Sequence, residues 1–220
     1  MAQRRTTYLT RRVRSSGASR NAVSEHWLLL SLISLILVAG TFTHWQLTTR
    51  DHNVPKRMTA AQARASNAAV PIQARRRVRA SPYHFRSGPA AREQATECLA
   101  TAALYEAGDD RRGQSAVIQV ILNRVRAPGF PDTICGVVYQ GNARTTGCQF
   151  SFTCDKSFAR RPVHLGWASA RRTARGALAG QVFSDVGGAT HYHANWMVPY
   201  WRDTLTKVAQ VGSHLFYVRN

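Results

Sequence analysis

Acidic residues are scarce in this 220-residue chain, 11 Asp and Glu against 30 Lys and Arg. The shortage is uneven. Residues 1–92 hold 2 acids and 16 basic residues, a net of +14; residues 93–220 hold 9 and 14, a net of +5. A folded nucleic-acid binder carries its basic patch on the domain itself, so charge concentrated outside the C-terminal part argues against a nucleic-acid partner. Asp, Glu, Lys and Arg are missing altogether from Trp27 to Leu47, "WLLLSLISLILVAGTFTHWQL". The four cysteines include no CxxC pair, which disfavours a zinc knot. No internal repeat is present, so a solenoid is not expected. Ser151 lacks the flanking glycines of a nucleophile elbow, which disfavours a serine hydrolase.

The uncharged run is long enough to cross a bilayer as a helix. Trp27 and Trp45 sit near its ends, where interfacial aromatics belong. A buried core helix and a cleaved signal peptide are the competing readings; the small residues of "LVAGTF" are compatible with cleavage. Arg4, Arg5, Arg11, Arg12, Arg14 and Arg20 precede the run, and Arg50, Lys56 and Arg57 follow it. The stronger basic flank stays in the cytoplasm. The expectation is a single-pass bacterial inner-membrane protein, N-terminus cytoplasmic and C-terminal part periplasmic. Cys98, Cys135, Cys148 and Cys154 all follow the run. In an oxidising compartment they form two disulfides, by any of three pairings; buried free thiols are the alternative.

The chain then divides into a basic tail (1–26), the span (27–47), a flexible basic linker (48–92) and a compact domain (93–220). The linker is rich in Ala, Arg, Ser and Pro and has no sustained apolar period. As a coil its reach is roughly 35 Å, and its arginines suit anionic lipid heads. In the domain, "REQATECLATAALYEAG" reads as a helix with Thr96 as a candidate N-cap and Gly108 as a stop. The next segment starts at Asp109 and Asp110, carries Ala116, Val117, Val120, Ile121 and Val125 at helical spacing, and ends at Pro128. Ile118 and Leu122 broaden its apolar face, which predicts a central helix. "FPDTICGVVYQ" suggests a helical turn with a strand-like end, "QFSFT" a strand, and "GWASARRTARGALAG" a helix. "ATHYHANWMVPYW" and "LTKVAQVGSHLFYV" read as strand, loop and terminal strand. The fold class is α+β, helices dominant.

Three clusters carry chemistry. Glu106 lies in "ALYEAG", a lone carboxylate in an apolar run at a helix end. Shielding by Leu104, Tyr105 and nearby aromatics raises such a group's pKa, which lets it act as a general acid near neutral pH. Glycosidic cleavage needs that donor at the leaving oxygen. Pairing with Arg111 or Arg112 is the plain alternative. Gln149, Ser151 and Thr153 would share one strand face, with Phe150 and Phe152 on the other, a layout suited to sugar or to an ordinary half-exposed strand. His191 and His193 would point the same way, with His214 on a later element. With Glu106 they resemble a zinc inventory, although HxH is a weak metal signal and shaping a polar cleft explains them equally. Trp196, Tyr200 and Trp201 offer faces for stacking on sugars or for the core.

Taken in order, "ECLATAALYEAGDDRRGQSAVIQVILNRVRAPGFPDTICGVVYQ", "CQFSFTCD", "ATHYHANW…PYW" and "LTKVAQVGSHLFY" resemble the SleB-type cell wall hydrolases, the spore-cortex-lytic enzymes and their Gram-negative relatives. The resemblance covers nearly all of residues 96–218. It implies a small lysozyme-like fold, peptidoglycan glycan strands as substrate and no cofactor or resident metal. The implied reaction is lytic cleavage between N-acetylmuramic acid and N-acetylglucosamine, leaving a 1,6-anhydromuramic end. Glu106 falls on the family's catalytic Glu, within "EAGDD" where many members have "EARGE". Gln149, Ser151, Thr153, His191, Tyr192, His193, Trp201 and His214 are the candidate substrate-binding residues. A single carboxylate suffices for that chemistry, whereas ordinary hydrolysis needs two; Asp155 is the nearest second carboxylate by motif and is expected to be structural. A zinc amidase using His191, His193 and His214 is one alternative reading, and a non-catalytic wall-binding module is another.

Overall fold

The computed structural model describes residues 20–52, 58–144, 147–155, 157 and 166–219. It divides into two units, one containing helix α1 (Arg20–His52) and one spanning Met58–Asn220. Within α1, His26–Trp45 is long and apolar enough to cross a membrane, and none of that stretch is buried by protein. The tail expected over 1–26 lies outside the described residues up to position 19.

The second unit is helix-dominated α+β. Helix α3 (Pro89–Ala107) starts on Gly88 with proline in its first turn, where the missing N–H costs nothing. It therefore begins earlier than expected. Thr96 is not its N-cap but a fully buried interior residue whose hydroxyl donates to the Arg92 carbonyl at 2.9 Å. Gly108 ends α3 with a φ of +53°, a left-handed conformation that glycine adopts without a Cβ penalty. Two residues later Asp110 caps α4 (Arg111–Val125), its carboxylate accepting from the Arg112 amide at 3.0 Å. The spacing-based reading of α4 as a central helix holds, since every residue from Ala116 to Arg124 is buried.

Helices α3 and α4 pack with the short α5 (Ile134–Val138) and with α6 (Trp167–Leu178) around Leu99, Ile118, Ile121, Leu122, Phe150 and Phe152. Disulfides join Cys98 to Cys135 and Cys148 to Cys154, with Cα atoms 5.5 and 6.0 Å apart. The sequence alone left the pairing open. "FPDTICGVVYQ" supplies the turn of α5 but no strand. "QFSFT" is not a strand either: Ser151–Thr153 form a 3-10 turn inside the short loop closed by the second disulfide, so Gln149, Ser151 and Thr153 share no strand face.

The sheet has three antiparallel strands in the order β1-β3-β2: β1 (His191–Ala194), β2 (Thr206–Val211) and β3 (His214–Val218). The segment read as one terminal strand is thus a hairpin turning at Gly212. In register, Tyr192 faces Phe216 and Ala194 faces His214, whereas His191 faces Tyr217 and His193 faces Leu215. One face, with Phe216, Val218 and Val208, closes on Ala116 and Val120 of α4 in a second core cluster.

The largest departure from expectation is the linker. From Met58 onward it is an ordered strap belonging to the compact unit, which therefore starts well before residue 93. Helix α2 (Ala60–Ala69) is held by a capping box between Thr59 and Gln62. Buried Asn67 donates to the carbonyls of Asn195 and Met197 at 2.8 and 3.0 Å, and its own carbonyl accepts from Lys207 Nζ at 2.7 Å. Farther on, Gln73 N–H donates to the Lys207 carbonyl, Gly188 N–H to Val78, and Arg126 to the carbonyls of Ser81 and Pro82. Composition signalled flexibility because the anchors include main-chain groups and the polar side chains of Ser66, Asn67 and Arg77, which leave no apolar period.

Candidate active site

Helix α4 builds the site through its polar residues. Gln119 Nε2 donates to Asn123 Oδ1, and Asn123 Nδ2 donates to the carbonyls of Gly187 and Ala189, both at 2.8 Å. One position on, Arg124 Nε donates to the Thr190 carbonyl at 2.7 Å. These bonds fix the segment that leads into β1 and so place Tyr192. Its hydroxyl donates to Glu106 Oε2 at 2.9 Å. The acid at the end of α3 and the strand 86 residues later are thereby joined.

Arg124 is 3 % exposed. Its guanidinium lies over the rings of Phe130, Phe150 and Tyr192, at 5.4, 5.8 and 5.8 Å. The Gln149 amide oxygen, turned toward it, accepts from Nη1 and Nη2 at 3.1 and 3.2 Å. Burial lowers the Arg124 pKa to about 10, opposed by Tyr192 and Glu106, so it stays cationic at neutral pH. Burial raises the Glu106 pKa, while the Tyr192 hydrogen bond and the Arg124 charge pull it back. Tyr192 is pushed well above the usual phenol range, first by burial and then by the neighbouring Glu106. Glu106 is therefore a half-buried carboxyl between opposing influences. Neither Arg111 nor Arg112 is its partner: Arg112 pairs with Asp185 instead.

The other expected residues divide. Gln149 joins the site through Arg124. His214 packs edge-on to Tyr192 with ring centroids 5.2 Å apart. His193, by contrast, lies on the opposite sheet face, where its Nε2 is 2.9 Å from the Tyr217 hydroxyl. His191 shares that face and sits 2.9 Å from the Thr190 hydroxyl through Nδ1. Trp201 stands edge-on to both histidines, at 5.4 and 5.5 Å. Burial, helped by Arg124 and Arg219, lowers His191 to about 4. The three histidines thus do not converge, and no group of three His, Cys, Asp or Glu among the described residues is placed to hold a metal. Thr153 spends its hydroxyl on the Phe150 carbonyl at 2.8 Å, and Ser151 is exposed. Asp155 accepts from the Ser157 amide at 2.8 Å, a local turn contact.

Tyr105, next to Glu106 in sequence, stacks on Phe152 at 4.6 Å and borders a cavity of about 330 Å³ with Thr101, Tyr139 and Trp167, which Glu106 does not line. Sequence reasoning missed Arg124. Its one signal was a cation inside the otherwise apolar "VILNRV" face of a central helix.

The stretch that carries Arg124 and Tyr192 and begins just past Glu106 is also where the chain matches known proteins. Residues 108–217 match the cell wall hydrolase family. The chain belongs to that family. This cell wall hydrolase is 34 % identical over 122 residues to a spore cortex-lytic enzyme of Halalkalibacterium halodurans, covering 54 % of this chain and 33 % of the relative. It is 30 % identical over 122 residues to one from Oceanobacillus iheyensis, covering 54 % and 40 %. It therefore spans a third to two-fifths of the length of these curated relatives. Among solved structures, the catalytic domain of the Bacillus cereus SleB protein is similar at 26 % identity, with a TM-score of 0.46 and coverage of 57 % of this chain and 91 % of that one. The catalytic domain of the germination-specific lytic transglycosylase SleB from Bacillus anthracis gives the same identity and score, with 57 % and 95 % covered.

Proposed function

We propose that this cell wall hydrolase is a peptidoglycan lytic transglycosylase, anchored in the bacterial inner membrane by α1 with its compact unit in the periplasm. It would cut the bond between N-acetylmuramic acid and N-acetylglucosamine with Glu106 as the single acid and base. The carrying observation is the hydrogen bond from Tyr192 to Glu106 Oε2 in a site that raises the acid's pKa. With Oε2 held, Oε1 carries the proton toward substrate. Glu106 protonates the leaving glycosidic oxygen as the bond to the anomeric carbon breaks. The resulting carboxylate then takes the proton of the muramyl 6-hydroxyl as that oxygen attacks the same carbon. The carboxyl is regenerated, a 1,6-anhydro ring forms, and no water is consumed. Arg124 and Tyr192 stabilise the transient carboxylate. Tyr105, Tyr139 and Trp167 offer aromatic faces to pyranose rings. The curated relatives' name, spore cortex-lytic enzyme, supports a wall-cleaving activity.

The test is mass spectrometry of muropeptides released from purified peptidoglycan by the full chain, wild type beside Glu106→Gln. Anhydromuramic ends, one water lighter than reducing ends and missing with the variant, are expected. Reducing ends would mean hydrolysis through a water, and intact glycan with freed stem peptides would mean an amidase. Removing the general acid should slow cleavage by roughly 100- to 10,000-fold.

A further inference from the structure

The strap carries a feature that glycan cleavage does not use. Between α2 and α3 it is pinned to the compact unit through the Gln73 amide, the Arg77 guanidinium and the Val78 carbonyl. Its other long side chains here are exposed. Arg75, Arg76 and Arg79 are exposed, and none of them pairs with an acid among the described residues. Val78, among them, and Ile72, just before them, are 64 % and 46 % exposed. Val78 and Arg79, with exposed Val182, border a cavity of about 360 Å³. Three arginines around exposed aliphatic side chains match a surface that is anionic outside and apolar just beneath.

We infer that residues 72–79, with Val182, dock on an anionic phospholipid surface. Arg75, Arg76 and Arg79 meet the phosphates, and Ile72 and Val78 enter the interfacial layer. A sugar–peptide polymer would account for the arginines through its carboxylates, but not for the aliphatic residues between them. Connectivity favours lipid as well. Met58 follows His52 of α1 by six residues, a contour of about 20 Å, so a bilayer crossed by α1 is within the strap's reach. The ordered strap thus acts as a second, electrostatic membrane contact in place of a long free tether.

The test uses the full chain in nanodiscs, with a photoreactive phenylalanine analogue in place of Val78. Discs contain either phosphatidylcholine alone or phosphatidylcholine with phosphatidylglycerol, and adducts are identified by mass spectrometry. Adducts to lipid are expected mainly in the anionic discs and should fall as salt rises. Each arginine near an anionic surface contributes about a fivefold factor, so the triple variant Arg75→Ser, Arg76→Ser, Arg79→Ser should lower the adduct yield on the order of 100-fold. Its melting temperature should not change, which separates lost docking from lost folding. Equal yields in both kinds of disc would overturn the inference. So would adducts to muropeptide and not to lipid when sacculi are added to the anionic discs. Neither result depends on which bond the enzyme cuts.

Discussion

At the scale of single residues, the site is a carboxyl whose pKa burial raises and two neighbours pull back. Because burial raises the folded-state pKa of Glu106 above its unfolded value, its contribution to stability is fully present below the unfolded pKa. It is lost as pH rises through the folded pKa. Glu106→Gln should therefore melt at a higher temperature than wild type at pH 7, with the difference shrinking at acidic pH; thermal scans across pH check this. Tyr192→Phe removes a hydrogen bond that lowers the Glu106 pKa. A general acid works while protonated, so the alkaline limb of the variant's pH–rate profile should move to higher pH, at a stability cost of about 1 kcal/mol. Arg124→Met should shift the same limb in the same direction and lower stability by about 1–3 kcal/mol, since it leaves the Thr190 carbonyl without its donor. Glu106 was legible in the sequence because a carboxylate in an apolar run demands a reason. The roles of Tyr192 and Arg124 were not, because each depends on a contact across the fold. Tyr192, expected to bind substrate, donates its hydroxyl to the acid.

At the scale of elements, local rules carried the helices. Gly108 and Asp110 punctuate α3 and α4 as their chemistry predicts, and the apolar period of α4 identified the central helix. They failed at "QFSFT", where alternation resembled a strand but a six-residue separation between bonded cysteines leaves room only for a turn. The disulfide between Cys98 and Cys135 closes 37 residues. In the chain-entropy picture, replacing both cysteines with serine should cost about 4 kcal/mol, readable as a lower urea midpoint. The strap's seat is equally specific. Gly187 has a φ of +53°, and a Cβ there would collide with the Val78 carbonyl and the Arg77 side chain. Gly187→Ala should release the strap, and trypsin should then cut at Arg75–Arg79 faster than in wild type. An unchanged digestion pattern would show that the strap is held elsewhere.

At the scale of the whole molecule, the change from expectation is where the catalytic unit starts. A chain beginning at residue 93 loses the hydrogen bonds that Asn67 makes with Asn195, Met197, Arg202 and Lys207, each worth about 1 kcal/mol, and leaves the buried Lys207 ammonium without its carbonyl. It should melt well below one beginning at Met58, and calorimetry of the two separates these boundaries. The family resemblance was readable because its motifs lie on helices and strands with fixed spacing; the strap lies outside the matched residues, so no pattern announced it. The sheet order has a further consequence. Among the described strands, β1, which carries Tyr192, pairs with β3 alone. A lesion in β3 would thus loosen Tyr192 and be felt at the acid, far earlier in the chain.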